Sequence, residues 1–162
     1  MSVFRNDLFR YKARLWYALM FLFGLVACKE NNSAAFPSNH LTNNNEMKIK
    51  ITVGNAVATA VLYDNPTSRD FAARLPLTLH MEDYNKTEKI VVLASPLTSE
   101  SAASGFDPSA GDLTYYEPWG NIALFYKDFG YSNGLISLGK IVSGLSIFEG
   151  KDTITVTFEL DK

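Results

Sequence analysis

The sequence predicts a mostly β domain, a sandwich or closed barrel of short strands, carried behind a separate N-terminal leader. Three observations predict it. At Met47 the chain changes from Asn- and Ser-rich text to strict alternation. Met47, Ile49, Ile51 and Val53 then alternate with Lys48, Lys50 and Thr52, the period-two signature of a half-buried strand. Many further short apolar runs follow, each bounded by turn residues, and that spacing belongs to sandwiches and barrels. Only one segment breaks the pattern in favour of a helix.

Gly54-Asn55 turns the chain, and AVATAVLY (56–63) reads as the returning strand of a hairpin. In DNPTSRDFAARLP (64–76) the alternation is lost. Thr67, with Asp70 three residues on, is placed to open a helix; Phe71 and Leu75 then share a face, and Pro76 stops the run. The expectation is a helix of about two turns over 67–75. Further strands are expected at LTLHME (77–82), KIVVLA (89–94), LTYY (113–116), NIALFY (121–126), LISLGKI (135–141), LSIFE (145–149) and TITVTFEL (153–160). The Ser-, Ala- and Gly-rich stretch 95–112 is long for a loop in a compact domain, and such loops are functional or mobile. No internal repeat stands out.

The 162 residues are one domain's worth, and residues 1–27 stand apart from that domain. Arg5, Arg10, Lys12 and Arg14 make a basic opening, followed by the 13-residue apolar run LWYALMFLFGLVA and then Cys28. A basic segment, a short apolar segment and small residues before a cleavage point describe a secretion signal. A spanning helix needs about 20 apolar residues, more than this run supplies. Leu25-Val26-Ala27-Cys28 resembles the lipobox of bacterial lipoproteins, in which the Cys thiol is lipidated and becomes the first residue. The expectation is a lipid anchor on Cys28, a flexible Asn/Ser-rich tether over 28–46, a barrel or sandwich domain over 47–162, and a place in the bacterial cell envelope.

Composition narrows the chemistry. After Ala27 the chain carries 11 basic and 16 acidic residues, a net charge of −5 with no basic cluster, so a nucleic-acid backbone is not an expected partner. Cys28 is the only cysteine, which leaves none for a disulfide or a thiolate metal site. His40 falls in the tether, and His80 is the domain's only histidine, expected as a partly buried structural residue on its strand. No metal constellation or cofactor is expected from these residues. Asp112 and Glu117 flank the LTYY strand and could pair, but the expectation is a solvated turn Asp and a surface Glu. GYSNG has neither the spacing nor the following helix of a phosphate loop.

The richest segment is YYEPWGNIALFYKDFGYSNG (115–134), with seven aromatics in its first seventeen residues. On strand 121–126, Ile122, Leu124 and Tyr126 face one way and Asn121, Ala123 and Phe125 the other, and one set must fill the core. Trp119 and Tyr131 sit in turns that a core does not require. Tyr115, Tyr116, Trp119, Asn121, Phe125 and Tyr131 are therefore the candidate ligand-binding residues: aromatics grouped with amides, the composition of a peptide or small-molecule groove. The competing reading is that these rings plug the end of the barrel.

KIKITVGNAVATAVLYDNPTSRDFAARLPLTLHMEDYN and AGDLTYYEPWGNIALFYKDFGYSNGLISLGKI together resemble the bacterial cyclophilin-like domain family, from about Lys48 to Leu160. The resemblance implies a closed, mostly antiparallel β-barrel of about eight strands with the 67–75 helix capping one mouth. It brings no established reaction, and fold alone does not license one. True cyclophilins isomerise Xaa-Pro bonds, a step opposed by a barrier of about 18–20 kcal/mol. They use a hydrophobic proline pocket and an arginine from an FHR strand motif, with a glutamine before a GD-type turn. Here Ala110-Gly111-Asp112-Leu113 stands where that turn would fall, without the FHR or the glutamine. Arg69 and Arg74 are the only arginines after the leader, and both lie on the expected helix. A lysine lacks the planar fork that would replace such an arginine. The function expected is therefore a membrane-tethered binding domain. The alternatives are a weak peptidyl-prolyl isomerase or folding helper in the envelope, and a structural envelope lipoprotein.

Overall fold

The computed structural model describes residues 46–150 and 152–161. The expected leader, Cys28, His40 and all of the tether but Glu46 lie outside the described residues. The strands are β1 (Met47–Val53), β2 (Ala56–Leu62), β3 (Leu77–Tyr84), β4 (Glu88–Val92), β5 (Gly105–Phe106), β6 (Asp112–Tyr116), β7 (Asn121–Phe125), β8 (Ser132–Asn133), β9 (Leu135–Ser143) and β10 (Thr153–Leu160), with one helix, α1 (Pro66–Ala73).

Eight strands close into a barrel in the order β1-β10-β3-β4-β7-β6-β9-β2, every neighbouring pair antiparallel. Of the two architectures open at the level of strand count, the closed barrel is the one observed. Alternation decides which residues go inside. Ile49, Ile51 and Val53 of β1 are buried, as are Ala58, Ala60 and Leu62 on the paired strand β2, while Lys48 and Lys50 point out. Closure leaves no unpaired edge in the main ring, and the buried core it encloses is drawn from residues 49–158.

The strands come very close at one crossing. Gly139 of β9 lies against β2, where an added Cβ would meet the Val61 carbonyl oxygen at 2.3 Å and Leu62 Cα at 2.9 Å. Both obstacles are backbone, so Gly139→Ala has to push two paired strands apart. We expect a loss of about 1–3 kcal/mol or more in urea-unfolding stability; an unchanged midpoint would show that the crossing has slack.

The helix begins earlier than expected. Asn65, not Thr67, is the N-cap: its side-chain oxygen accepts from the Ser68 N–H at 2.8 Å, and Pro66 takes the first helical position, where its missing N–H costs nothing. Thr67 and Ser68 are instead buried against the barrel. Ser68 Oγ donates to the Leu138 carbonyl, and Phe71 enters the core edge-on to Phe158, 5.6 Å between ring centres. This is how the helix caps the core.

One strand expectation fails for reasons of packing. LSIFE is not a strand but a 3₁₀ turn, Leu145–Phe148, entered through Gly144 at φ 80°. Both neighbours of β9 in the ring are already taken by β2 and β6, so this segment has no edge to pair with, and it buries Phe148 instead. The long stretch 95–112 is tied down. Arg74 donates to the Ser95 and Pro96 carbonyls, Asp70 accepts from the Thr98 N–H, and the Leu97 N–H reaches the Tyr115 hydroxyl at 3.2 Å. Its β5 pairs with β8 to make a two-stranded flap.

Candidate functional site

Every residue of β7 is buried, which a one-faced barrel strand cannot achieve. Ile122 and Leu124 point into the barrel core. Ala123 and Phe125 point out, where they form a second apolar cluster with Leu135, Ile90, Tyr116 and Phe106 of the flap. The outer wall of β4, β7, β6 and β9 is thus an apolar surface only partly covered, and a groove of about 240 Å³ opens on it.

Register sets the order of groups along this groove. Glu88 lies opposite Phe125, Ile90 opposite Ala123, and Asn121 opposite Tyr116. Tyr84 of β3 joins Glu88 at one end by direct pairing. Trp119 comes from the short 3₁₀ turn Glu117–Trp119 that links β6 to β7. Its ring meets Tyr84 and Tyr116 edge-on, with centres 6.0 and 5.5 Å away. Phe129 packs beside Phe125 at 6.0 Å. Gly134 lets the chain pass this turn: at φ 75°, its Cβ position lies only 2.8 Å from Pro118 Cδ.

Tyr116, Trp119, Asn121 and Phe125 of the six candidates therefore meet in one groove. Tyr115 does not: it points to the opposite face of β6, fully buried in the core, its hydroxyl accepting from the Leu97 N–H. Tyr131 also stands apart, exposed on the flap with its hydroxyl 3.3 Å from Ser104 Oγ. Sequence reasoning missed Tyr84, Glu88, Ile90, Phe129 and Leu135, which complete the lining together with Ala123 and Ser132. Outward parity on β3 and β4 marks Tyr84, Glu88 and Ile90 as wall residues, but nothing local says that these strands neighbour β7.

Two polar groups of the groove lack partners. Asn121 is 2% exposed; its amide nitrogen bonds the Ile122 carbonyl at 3.3 Å, while its side-chain oxygen has no partner. The Ile122 carbonyl can only accept, which assigns the nitrogen to it and leaves the oxygen free. Among the described residues the Glu88 carboxyl has no hydrogen-bond or ion-pair partner, and burial, followed by the negative charge of Asp83, pushes it up to about 7. A buried amide oxygen with no hydrogen-bond partner and a carboxyl held near neutrality are features that gather at functional sites.

Other charged groups are structural. Asp112 is buried rather than solvated: it accepts from the Ser109 N–H at 2.7 Å and pairs with Lys140 at 3.0 Å, while Glu117 is exposed and forms no pair with it. His80 is exposed, not partly buried, and its Nδ1 is 3.0 Å from Thr155 Oγ1 on the neighbouring strand. Arg69 pairs with Asp64, and Arg74, the helix C-cap, clasps Asp70 through two nitrogens, so both guanidinium groups are engaged in structural contacts. Inside the barrel, fully buried Lys89 pairs with Asp83 at 2.6 Å, and the Tyr126 hydroxyl donates to the same carboxylate oxygen at 2.6 Å. Among the described residues no group of three or more His, Cys, Asp or Glu side chains is gathered to hold a metal.

Comparison with solved structures finds the hypothetical protein AF2241 of Archaeoglobus fulgidus, whose solution structure matches with a TM-score of 0.53 at 21% identity, over 72% of this chain and 95% of that one. At that identity the likeness speaks for the fold alone. No curated protein matches the chain. The profile of the Cyclophilin-like family matches residues 51–159, two thirds of the sequence and almost the whole of the barrel. By that match, and by the eight-stranded closed barrel it accompanies, the chain belongs to the Cyclophilin-like family.

Proposed function

We propose that this protein is a binding domain whose ligand, a peptide or small molecule, lies in the groove under Trp119. The reading also holds that lipidation of Cys28 tethers the domain to a membrane of the bacterial cell envelope, with residues 28–46 as the spacer. The observation that carries the binding reading is Trp119 itself. Its indole is 54% exposed, yet it is propped between Tyr84 and Tyr116 over an open apolar wall. Large exposed rings that are held in place around a concavity mark binding sites. Recognition is favoured over isomerisation because the groove lining contains no guanidinium.

Residues 46–162 contain Trp119 as their only tryptophan, so its fluorescence reports the groove directly. Short Ala-Pro peptides should shift the NMR signals of Trp119 and Asn121 without accelerating cis–trans exchange. Trp119→Ala should weaken that binding by at least about tenfold, the scale of an aromatic hot spot, while changing stability by no more than about 1 kcal/mol. Catalysed exchange would establish an isomerase instead. A large stability loss in the variant would make Trp119 a packing residue.

A further inference from the structure

The groove carries one acidic group and no basic one, among five aromatic rings. We infer that it takes an organic cation: an alkylammonium chain whose charge rests beside Glu88, whose methylenes lie along Ile90 and Ala123 beneath the Trp119 ring, and whose further N–H group donates to the free side-chain oxygen of Asn121. This rests on the groove being a binding site and names its ligand chemistry.

Three features of the wall converge on that chemistry. The faces and edges of Tyr84, Tyr116, Trp119, Phe125 and Phe129 surround a space that an ammonium group can enter with favourable cation–π contact. Glu88 supplies the only formal charge in the lining, and among the described residues no cation pairs with it. Asn121 offers an acceptor that is buried and unused, which selects a ligand with an N–H or O–H to give. Asn121 is four residues from Phe125, the partner of Glu88 across the β4–β7 ladder, so the two polar groups are about 13 Å apart along the strand at about 3.3 Å per residue. A ligand touching both is elongated, with an apolar body over Ile90 and Ala123. A simple inorganic cation fits neither the length nor the apolar floor.

The ionisable groups around Glu88 are Asp83 and Tyr84 on β3, inward-facing Lys89 beside it on β4, Tyr116 across the groove on β6, and Tyr126 and Lys127 just beyond β7. Lys89 is taken up by Asp83, and Lys127 lies 5.8 Å over the Tyr126 ring. With its carboxyl raised to about 7, Glu88 is largely protonated in mild acid and ionised above neutrality. A cation requires the ionised form. Its apparent affinity therefore rises by about 30-fold between about pH 5.5 and about pH 8, in proportion to the ionised fraction.

The test is calorimetric and NMR titration of residues 46–162 with 1,5-diaminopentane, with N-acetyl-lysine methylamide, and with the uncharged isostere 1-pentanol. The cations should bind and the alcohol should bind at least about tenfold more weakly. Glu88→Gln should lose at least about tenfold in cation affinity and flatten the pH dependence. The substitution removes no hydrogen bond or ion pair among the described residues, and thermal unfolding of the variant checks its fold. Preference for the free diamine would identify a soluble amine as ligand; preference for the blocked lysine would identify a polypeptide side chain. Both uphold the inference. Equal binding of alcohol and cation, or a Glu88→Gln variant that binds cations as tightly as the parent, overturns it. So does absence of any cation binding; the binding role of the groove is judged separately by the Ala-Pro titration.

Discussion

Replacing Asp83 with Ala is expected to destabilise the barrel by about 3–5 kcal/mol, the range for breaking one side of a buried ion pair. The pair is unusual in placement. Lys89 is fully buried in the barrel, and Asp83 sits between it and solvent, accepting from Lys89, from the Tyr126 hydroxyl and from the Lys86 N–H. Burial pushes the Asp83 carboxyl up, but the hydrogen bonds from Lys89 and Tyr126 and the Lys89 charge outweigh it, so it titrates below the ordinary carboxylate range. Burial together with the Asp83 contact pushes the Tyr126 hydroxyl up, keeping it protonated as a donor.

The sign of the pH dependence follows. A carboxyl whose folded pKa is depressed contributes its stability above its unfolded value, and that contribution is lost as pH falls through the folded value. Urea unfolding of the parent should weaken on acidification below about pH 4, and Asp83→Ala should remove that part of the acid sensitivity along with the stability itself. Asp83→Asn, which keeps an acceptor for Tyr126 and discards the charge, should fall between the two. A loss below about 1 kcal/mol in Asp83→Ala would mean that the interior accommodates Lys89 without its carboxylate.

Truncating Tyr115 to Ala should cost a similar amount, about 3–5 kcal/mol, as for other large aromatics removed from a packed interior. Its ring is completely buried, and its hydroxyl satisfies the Leu97 N–H, so the change opens a cavity and frees the start of the long 95–112 segment. Tyr115→Phe should cost only about 1 kcal/mol, the part due to the hydrogen bond. Thermal unfolding of both variants beside Trp119→Ala divides the aromatic segment into its two roles. Tyr115 should report on stability and Trp119 on binding. A Tyr115→Ala protein as stable as the parent would place that ring outside the core.

Period-two alternation made the strands legible, because each barrel strand buries one face whatever its partner. Met47 to Val53 and Ala56 to Leu62 could be read in this way with no knowledge of the ring. The helix was legible in its existence and its apolar face. Its start was not, because Asn65 and Pro66 form a cap as good in sequence as the Thr67 alternative, and the barrel buries Thr67. LSIFE reads as a strand by composition, but a strand exists only where an edge is free to pair, and β2 and β6 already occupy both sides of β9. The failure with Tyr115 is of the same kind: alternation separated it correctly from Tyr116 but gave no sign of which face the core would take.

What the amino-acid sequence determined by itself was the inventory: the alternating residue sets of most barrel strands, a single tryptophan within residues 46–162, and two arginines there, one in the helix and one at its C-cap. Alternation and composition are local properties, and they survive whatever the chain does next. The tertiary structure decided which face of each strand became the groove and which distant residues joined it. Tyr84 and Glu88 reach Phe125 and Trp119 only because β3, β4 and β7 are neighbours in the closed ring. That neighbourhood follows from closing eight strands on one core, a condition on the whole chain that no single segment encodes.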